Sequence, residues 1–254
     1  MNPIKILSRI VTSSLQKLGI FSIKKRVLII TLVIKTLLSL EKNPSDSLKF
    51  LLNLDRKIYS LTGRATRNYE GGLHAKHRLT KYHDFFIKNI NDGENILDIG
   101  CGNGFLSYNI VTNVKNVKLL GIDLNKNYIE FAEKHYQHPN LKFVVGNALT
   151  DLPEKEFDVI ILSNVLEHIE HRIDFLAQIK NRIGPAKYLL RVPNFERDWR
   201  VPLMKELGLD YRLDRTHHIE YTQEVFFEEL KKAGLSVETH EIRWGEIWAV
   251  VKSI

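Results

Sequence analysis

Three glycines at alternate positions, Gly100, Gly102 and Gly104, follow Asp98 in the stretch D-I-G-C-G-N-G. Glycine reaches positive φ at little steric cost and leaves its face bare, so a ligand can lie directly against the main chain. An apolar run at 95–97 precedes this stretch and an amphipathic segment at 105–111 follows it, which reads as strand, tight turn and helix. The amino terminus of such a helix turns its free N–H groups toward the occupant of the turn. The pattern predicts a pocket for a nucleoside-bearing cofactor.

Two details narrow the choice of cofactor. A dinucleotide fingerprint places a third glycine three residues after the second, and that position holds Phe105. Asp98, just ahead of the first glycine, would repel a pyrophosphate but suits a cationic sulfonium that also carries an ammonium group. Hydride transfer from a nicotinamide is therefore disfavoured. A second apolar run over 117–122 ends in Asp123, 19 positions after Gly104, close to the spacing at which a carboxylate meets ribose hydroxyls. Further apolar runs cover 141–145, ending near Asn147, and 157–162, leading into S-N-V-L-E-H at 163–168.

At these residues the chain resembles the class I S-adenosylmethionine-dependent methyltransferases, whose first motif has the form D-x-G-x-G-x-G. The ordered set covers 95–168, and the likeness to small-molecule and ubiquinone-type O-methyltransferases extends more weakly to the carboxyl terminus. It implies a Rossmann-like α/β fold, a seven-stranded mostly parallel sheet with an antiparallel last strand, and S-adenosylmethionine as cofactor. The residues implied to bind that cofactor are Asp98, Gly100, Cys101, Gly102, Gly104, Asp123, Leu124, Asn147, Ala148 and Asn164. Asn147 stands where the family usually has Asp near the adenine amine. An amide still offers that edge a donor and an acceptor. In the resembling enzymes a helix ahead of the first motif closes over the cofactor, which makes Arg78 the candidate for the methionine carboxylate, with His77 and Tyr82 as neighbours; a solvated basic turn is the competing reading.

Methyl transfer from a sulfonium is an in-line displacement, so positioning supplies most of the rate and no covalent enzyme intermediate is required. An oxygen nucleophile must also lose its proton, which calls for a base or a metal. Asn164, His168 and His217 are the catalytic candidates, with His168 the best placed as base beyond the fourth strand. Small-RNA ribose methyltransferases resemble this chain in having a metal-binding glutamate-histidine segment after the fourth strand and a later histidine. The counterparts are Glu167, His168 and His217, with Asn164 replacing a first glutamate and weakening the charge offered to a hard cation. A divalent metal is thus a secondary expectation, and a metal-assisted RNA ribose methyltransferase and a non-catalytic cofactor-binding scaffold are the alternatives. Residues 194–221 form an irregular stretch mixing Phe195, Trp199 and Tyr211 with charges, suited to a lid over a small-molecule, glycan or lipid-linked acceptor.

The elements that must position these groups divide the chain into a basic helical extension over 1–61, a connecting and cofactor-lid segment over 62–92 and a catalytic domain over 93–254. At 254 residues and 44% hydrophobic content one substantial core is accessible. Residues 1–40 hold seven Lys or Arg and no acid, whereas the remainder carries 30 basic and 30 acidic side chains, so nucleic acid is a poor partner for the catalytic part. Ile4, Leu7, Val11, Leu15 and Leu18 recur at helical spacing among Lys5, Arg9 and Lys17. Residues 1–40 accordingly suit either a membrane surface or packing on protein. The apolar run 27–40 is too short to cross a bilayer comfortably and carries Lys35. A lone cysteine, Cys101, allows no intrachain disulfide, consistent with a reducing, cytoplasmic setting, peripheral at most.

Overall fold

The apolar runs become strands, buried on both faces in the middle of the sheet, because a continuous Val/Ile/Leu run is stable as a strand only when both faces are covered, whereas the run at 141–145 forms an edge strand with Lys142, Val144 and Val145 exposed. In a computed structural model describing residues 22–72, 74–152, 156–184 and 186–254, these strands are β1 (Asn95–Ile99), β2 (Lys118–Asp123), β3 (Leu141–Val145), β4 (Val159–Ser163) and β5 (Lys187–Pro193). With β6 (Leu235–Arg243) and β7 (Glu246–Ser253) they form one seven-stranded sheet in the order β3-β2-β1-β4-β5-β7-β6. Strands β1 to β5 pair in parallel, and β7 runs antiparallel between β5 and β6. The expected sheet, with its antiparallel last strand, is the one observed. Strand order reverses between β1 and β4, and the crevice at the carboxyl ends of these two strands is where such a sheet takes its ligand.

Helices cover both faces. One face buries Leu97, Ile160, Leu190 and Ala249 against Leu176, Ile179 and Phe226; the other buries Ile96, Ile161 and Leu189 with Phe86 and Ile110. The helices are α1 (Ile23–Ser39), α2 (Pro44–Tyr69), α3 (Lys76–Thr80), α4 (Tyr82–Lys88), α5 (Phe105–Asn113), α6 (Lys126–His135), α7 (Arg172–Ile183), α8 (Arg200–Glu206) and α9 (Gln223–Lys232), of which α4, α5, α6, α7 and α9 supply buried residues to these faces. Two compact units result, residues 1–58 and 59–254.

Two elements differ from the sequence expectation. Helix α2 runs on from 61 to Tyr69, since a lone Gly63 costs a helix only about 1 kcal/mol and good helix formers surround it. The stretch 194–221 is not irregular throughout: it contains α8, which buries Val201 and Met204 on one side and places Pro202 in the first turn, where its missing N–H costs nothing. The amphipathic segment built on Ile4, Leu7, Val11, Leu15 and Leu18 lies outside the described residues.

Candidate active site

The turn between β1 and α5 is shaped by what its glycines exclude. A Cβ on Gly100 would lie 2.6 Å from Val165 Cγ2, and one on Gly104 would lie 2.5 Å from the Phe143 ring and 2.8 Å from Ala132 Cβ. The turn is thus clamped between the segment after β4 and the β3–α6 layer. Gly102, with φ +55°, behaves differently, since nothing lies within 4 Å of the side-chain position. Its face is open, as a cradle for a cofactor laid on the backbone would have to be.

Asp123, at the end of β2, is already aimed at this turn. Its carboxylate accepts from Gly102 N–H at 2.9 Å and from Asn125 N–H at 2.8 Å, which fixes its rotamer beside the cradle. The same turn starts α6, whose Asn125 caps the N–H groups of Asn127 and Tyr128. Asp98 points inward instead: it is 1% exposed and accepts from Ser107 Oγ at 2.5 Å. Burial, opposed by the Ser107 hydroxyl and reinforced by the negative charge of Asp123, raises its pKa to about 7. Cys101 is buried, and burial, with Asp98 and Asp123 nearby, pushes its thiol far above the usual range, which marks it as an inert filler of the turn. Leu124 is exposed and Ala148 is buried. Asn147 spends its carbonyl oxygen on Leu149 N–H at 2.9 Å.

Beyond β4 the chain turns sharply. Asn164 takes φ +58°, a region asparagine tolerates, and donates its N–H to Arg191 O at 2.8 Å. Its side-chain oxygen is buried without a hydrogen-bond partner. A single 3₁₀ turn, Leu166–His168, then buries Glu167 completely, and neither carboxylate oxygen has a partner. Burial raises the Glu167 pKa to about 7. The backbone carbonyl of Glu167 accepts from His218 N–H at 2.7 Å, which brings the segment 214–221 against this turn.

That contact assembles a cluster. Glu167, His168 and His217 each offer one ligand atom, all within 4.8 Å of one another, and the two imidazole rings lie 4.6 Å apart, edge to face. His217 Nδ1 is held by Glu220 Oε1 at 2.8 Å, and His168 Nδ1 by Thr216 Oγ1 at 2.9 Å. Because the Thr216 hydroxyl donates onward to Asp214 at 2.8 Å, His168 Nδ1 is the donor in its pair and Nε2 keeps its lone pair. Partial burial and the adjacent His217 hold the His168 pKa below its ordinary value, so the ring is neutral near pH 7.

Glu220, whose side chain is fully buried, is the hub of the segment 197–220. It accepts from Leu213 N–H at 2.7 Å and pairs with Arg197, which also donates to Tyr211 O at 2.9 Å. Sequence reasoning gave Glu220 no role, although His217-x-x-Glu220 is a spacing that brings two side chains together. Arg191 was likewise missed. It lies 5% exposed between Glu246, bound through two 2.6 Å contacts, and the Tyr82 ring 3.9 Å away, and it donates to Ser163 Oγ at 3.2 Å. Tyr82, kept protonated by burial that pushes it up to about 12, is hydrogen-bonded to His77 Nδ1 at 3.0 Å. His77, lowered to about 4 by burial and by Lys76 and Arg191, is neutral and packs on Phe105 at the start of α5. The structure therefore brings His77 and Tyr82 onto the glycine turn, while Arg78 lies exposed in a 2.6 Å ion pair with Glu70.

Comparison with known proteins adds to this geometry. Residues 90–232 match the model of a family described as "Methyltransferase domain". The malonyl-[acyl-carrier protein] O-methyltransferase of Halalkalibacterium halodurans is 30% identical over 132 residues, 48% of this chain and 49% of that protein. The mitochondrial ubiquinone biosynthesis O-methyltransferase of Candida albicans is 40% identical over 108 residues, 39% of this chain and 32% of that one. The chain thus matches half or less of the length of these curated relatives. Among solved structures, a SAM-dependent methyltransferase from Aquifex aeolicus superposes with a TM-score of 0.53 at 16% identity, covering 71% of this chain and 93% of that one. This last likeness is one of fold.

Proposed function

Since the chain belongs to the class I S-adenosylmethionine-dependent methyltransferase family, we propose that it transfers a methyl group from that cofactor to an oxygen of a small-molecule, glycan or lipid-linked acceptor. The observation that carries this reading is the open face of Gly102 beside a carboxylate, Asp123, whose rotamer is fixed by two backbone N–H groups. Bound there, the cofactor supplies an electrophilic methyl group. Asp123 receives the ribose hydroxyls, Asn147 faces the adenine edge, and Asn164 and the cluster of Glu167, His168 and His217 border the acceptor. Arg78 takes the methionine carboxylate after exchanging its exposed pairing with Glu70, a contact of little net strength. His168, neutral with a free Nε2, accepts the proton of the acceptor hydroxyl. Relatives named for malonyl-acyl carrier, ubiquinone and fatty-acid substrates favour an oxygen acceptor.

A second reading rests on the unpartnered oxygens of Glu167. A buried carboxylate without donors, beside two imidazoles whose Nδ1 atoms are already held, fits a divalent cation. Such a cation would lower the pKa of an acceptor hydroxyl, with Glu167, His168 and His217 as its ligands.

Calorimetric titration of the full chain with S-adenosylmethionine and S-adenosylhomocysteine, with NAD as control, tests the reading. Micromolar binding of both methionine nucleosides, at least tenfold weaker in Asp123→Ala, is expected. Folded protein that binds neither, or that binds NAD instead, would overturn it. Manganese titration of the same protein, with Glu167→Gln as control, separates the metal-assisted reading from simple base catalysis.

A further inference from the structure

Helix α1 has no buried residue along its 17 positions. Ile23, Val27, Leu28, Ile30, Leu32 and Val33 are each more than half exposed, and Leu37 is 43% exposed. Such a run of apolar surface on one element marks an interaction site. We propose that α1 docks on an anionic membrane surface, lying in the interface with its apolar side toward the acyl chains.

Three features single out that occupant. At 100° per residue, Ile23, Ile30, Val33, Ile34 and Leu37 gather on one side with Arg26 among them, and Lys24, Thr31, Lys35 and Ser39 form a stripe that also holds Leu28. The apolar surface is thus broad, and the cations cluster at the amino-terminal end as Lys24, Lys25 and Arg26, where they can meet headgroups while the apolar residues face the acyl boundary. Crossing is unfavourable in any case: 17 residues at about 1.5 Å each span some 26 Å, short of a hydrocarbon core of about 30 Å, and Lys35 interrupts the run. Among the described residues no helix is long and apolar enough to cross a membrane.

Charge decides between partners that offer apolar surface. Residues 1–40 hold seven basic and no acidic side chains, so a second copy of the same segment would bring like charges together with nothing to compensate them. Residues 41–254 carry equal numbers of acids and bases and present no net negative field. Nucleic acid would satisfy the lysines and leave the isoleucines and valines in water. An anionic bilayer satisfies both, with lipid headgroups meeting the lysines and the acyl boundary burying the apolar side.

Co-sedimentation of the full chain with vesicles tests this without recourse to methyl transfer, so it stands or falls separately from the proposed activity. Vesicles of 30% phosphatidylglycerol in phosphatidylcholine should pellet the protein, and vesicles of phosphatidylcholine alone should not. Each basic side chain at such a surface contributes about fivefold in affinity, so Lys24→Gln/Lys25→Gln/Lys35→Gln should bind roughly hundredfold more weakly. Val27→Ser/Ile30→Ser/Val33→Ser should lose binding without any change of charge. Wild-type protein that keeps its circular-dichroism spectrum and stays in the supernatant with anionic vesicles overturns the proposal. So does pelleting that both variants retain, which would place the lipid contact elsewhere. Light scattering that shows a dimer dissolved by the serine variant, with no vesicle binding, would assign the helix to a second copy and overturn it equally.

Discussion

Glu220 is buried with a side chain that holds three groups at once, the Nδ1 of His217, the amide of Leu213 and the guanidinium of Arg197. Its charge, more than its volume, orients the imidazole. Glu220→Gln keeps the shape but turns one acceptor into a donor that opposes Arg197. Outer partners of this kind are worth about 10- to 100-fold in metal affinity, so the variant should bind manganese more weakly by that factor in paramagnetic resonance titrations while holding S-adenosylhomocysteine as tightly as wild type. Equal loss of both ligands would show that Glu220 only holds the fold. Asp98 carries a different signature. Its folded pKa of about 7 lies above the ordinary 3.8, so the native state holds this proton more tightly than the unfolded chain. Its contribution is therefore complete below the unfolded pKa and is lost as pH rises toward 7, at no more than about 1.4 kcal/mol per pH unit. The groups bearing on it are Ser107, which opposes the shift, and Asp123, which adds to it. In Asp98→Asn this contribution disappears. The difference in unfolding free energy between wild type and variant should fall between pH 4 and 7 and level off above, and parallel denaturation curves across that range would refute the assignment.

At the scale of elements, the β1–α5 turn separates two uses of glycine. Gly104 faces Phe143 of β3 and Ala132 of α6 at distances no Cβ can occupy, whereas Gly102 faces open space. Gly104→Ala adds overpacking to the cost of positive φ and should destabilise the fold by about 3 kcal/mol. Gly102→Ala carries the backbone cost alone, about 1 kcal/mol, yet should weaken S-adenosylmethionine binding at least tenfold by filling the cradle. Thermal melts and titration of the two variants check the contrast, and equal losses of stability would refute it. This division also shows what sequence could and could not supply. Alternation of glycines, and apolar runs ending in Asp123 and Ser163, are local signals, and the strand–turn–helix they predict is present. Helix α8 escaped because its burial of Val201 and Met204 depends on packing that a short polar-rich stretch does not advertise. Arg191 escaped because its partner Glu246 lies 55 positions away, on a strand inserted antiparallel beside β5. The pairing of Arg78 with Glu70 was not legible either, because it depends on the path of the chain around Gly71 and Gly72.

For the molecule as a whole, the two apolar clusters that sandwich the sheet draw every buried member from Tyr82 to Val251. Every residue assigned above to cofactor or acceptor lies in the unit 59–254, while the basic excess lies in residues 1–40. Binding site and core thus share one unit, and the charge belongs to the other. If this separation is thermodynamic as well as spatial, a chain of residues 59–254 needs nothing from the extension in order to fold. Burial scales with the size of the folding unit, and one of nearly 200 residues buries about 70% of the surface its unfolded chain exposes, enough for independent stability. The truncated chain should melt in one cooperative transition and bind S-adenosylhomocysteine within about threefold of the full chain. It should also lose attachment to a cation-exchange resin near neutral pH, since it gives up the segment that sets the net charge of +7. Loss of the melting transition would mean that the extension completes the core. A transition retained with tenfold weaker nucleoside binding would mean that it completes the site.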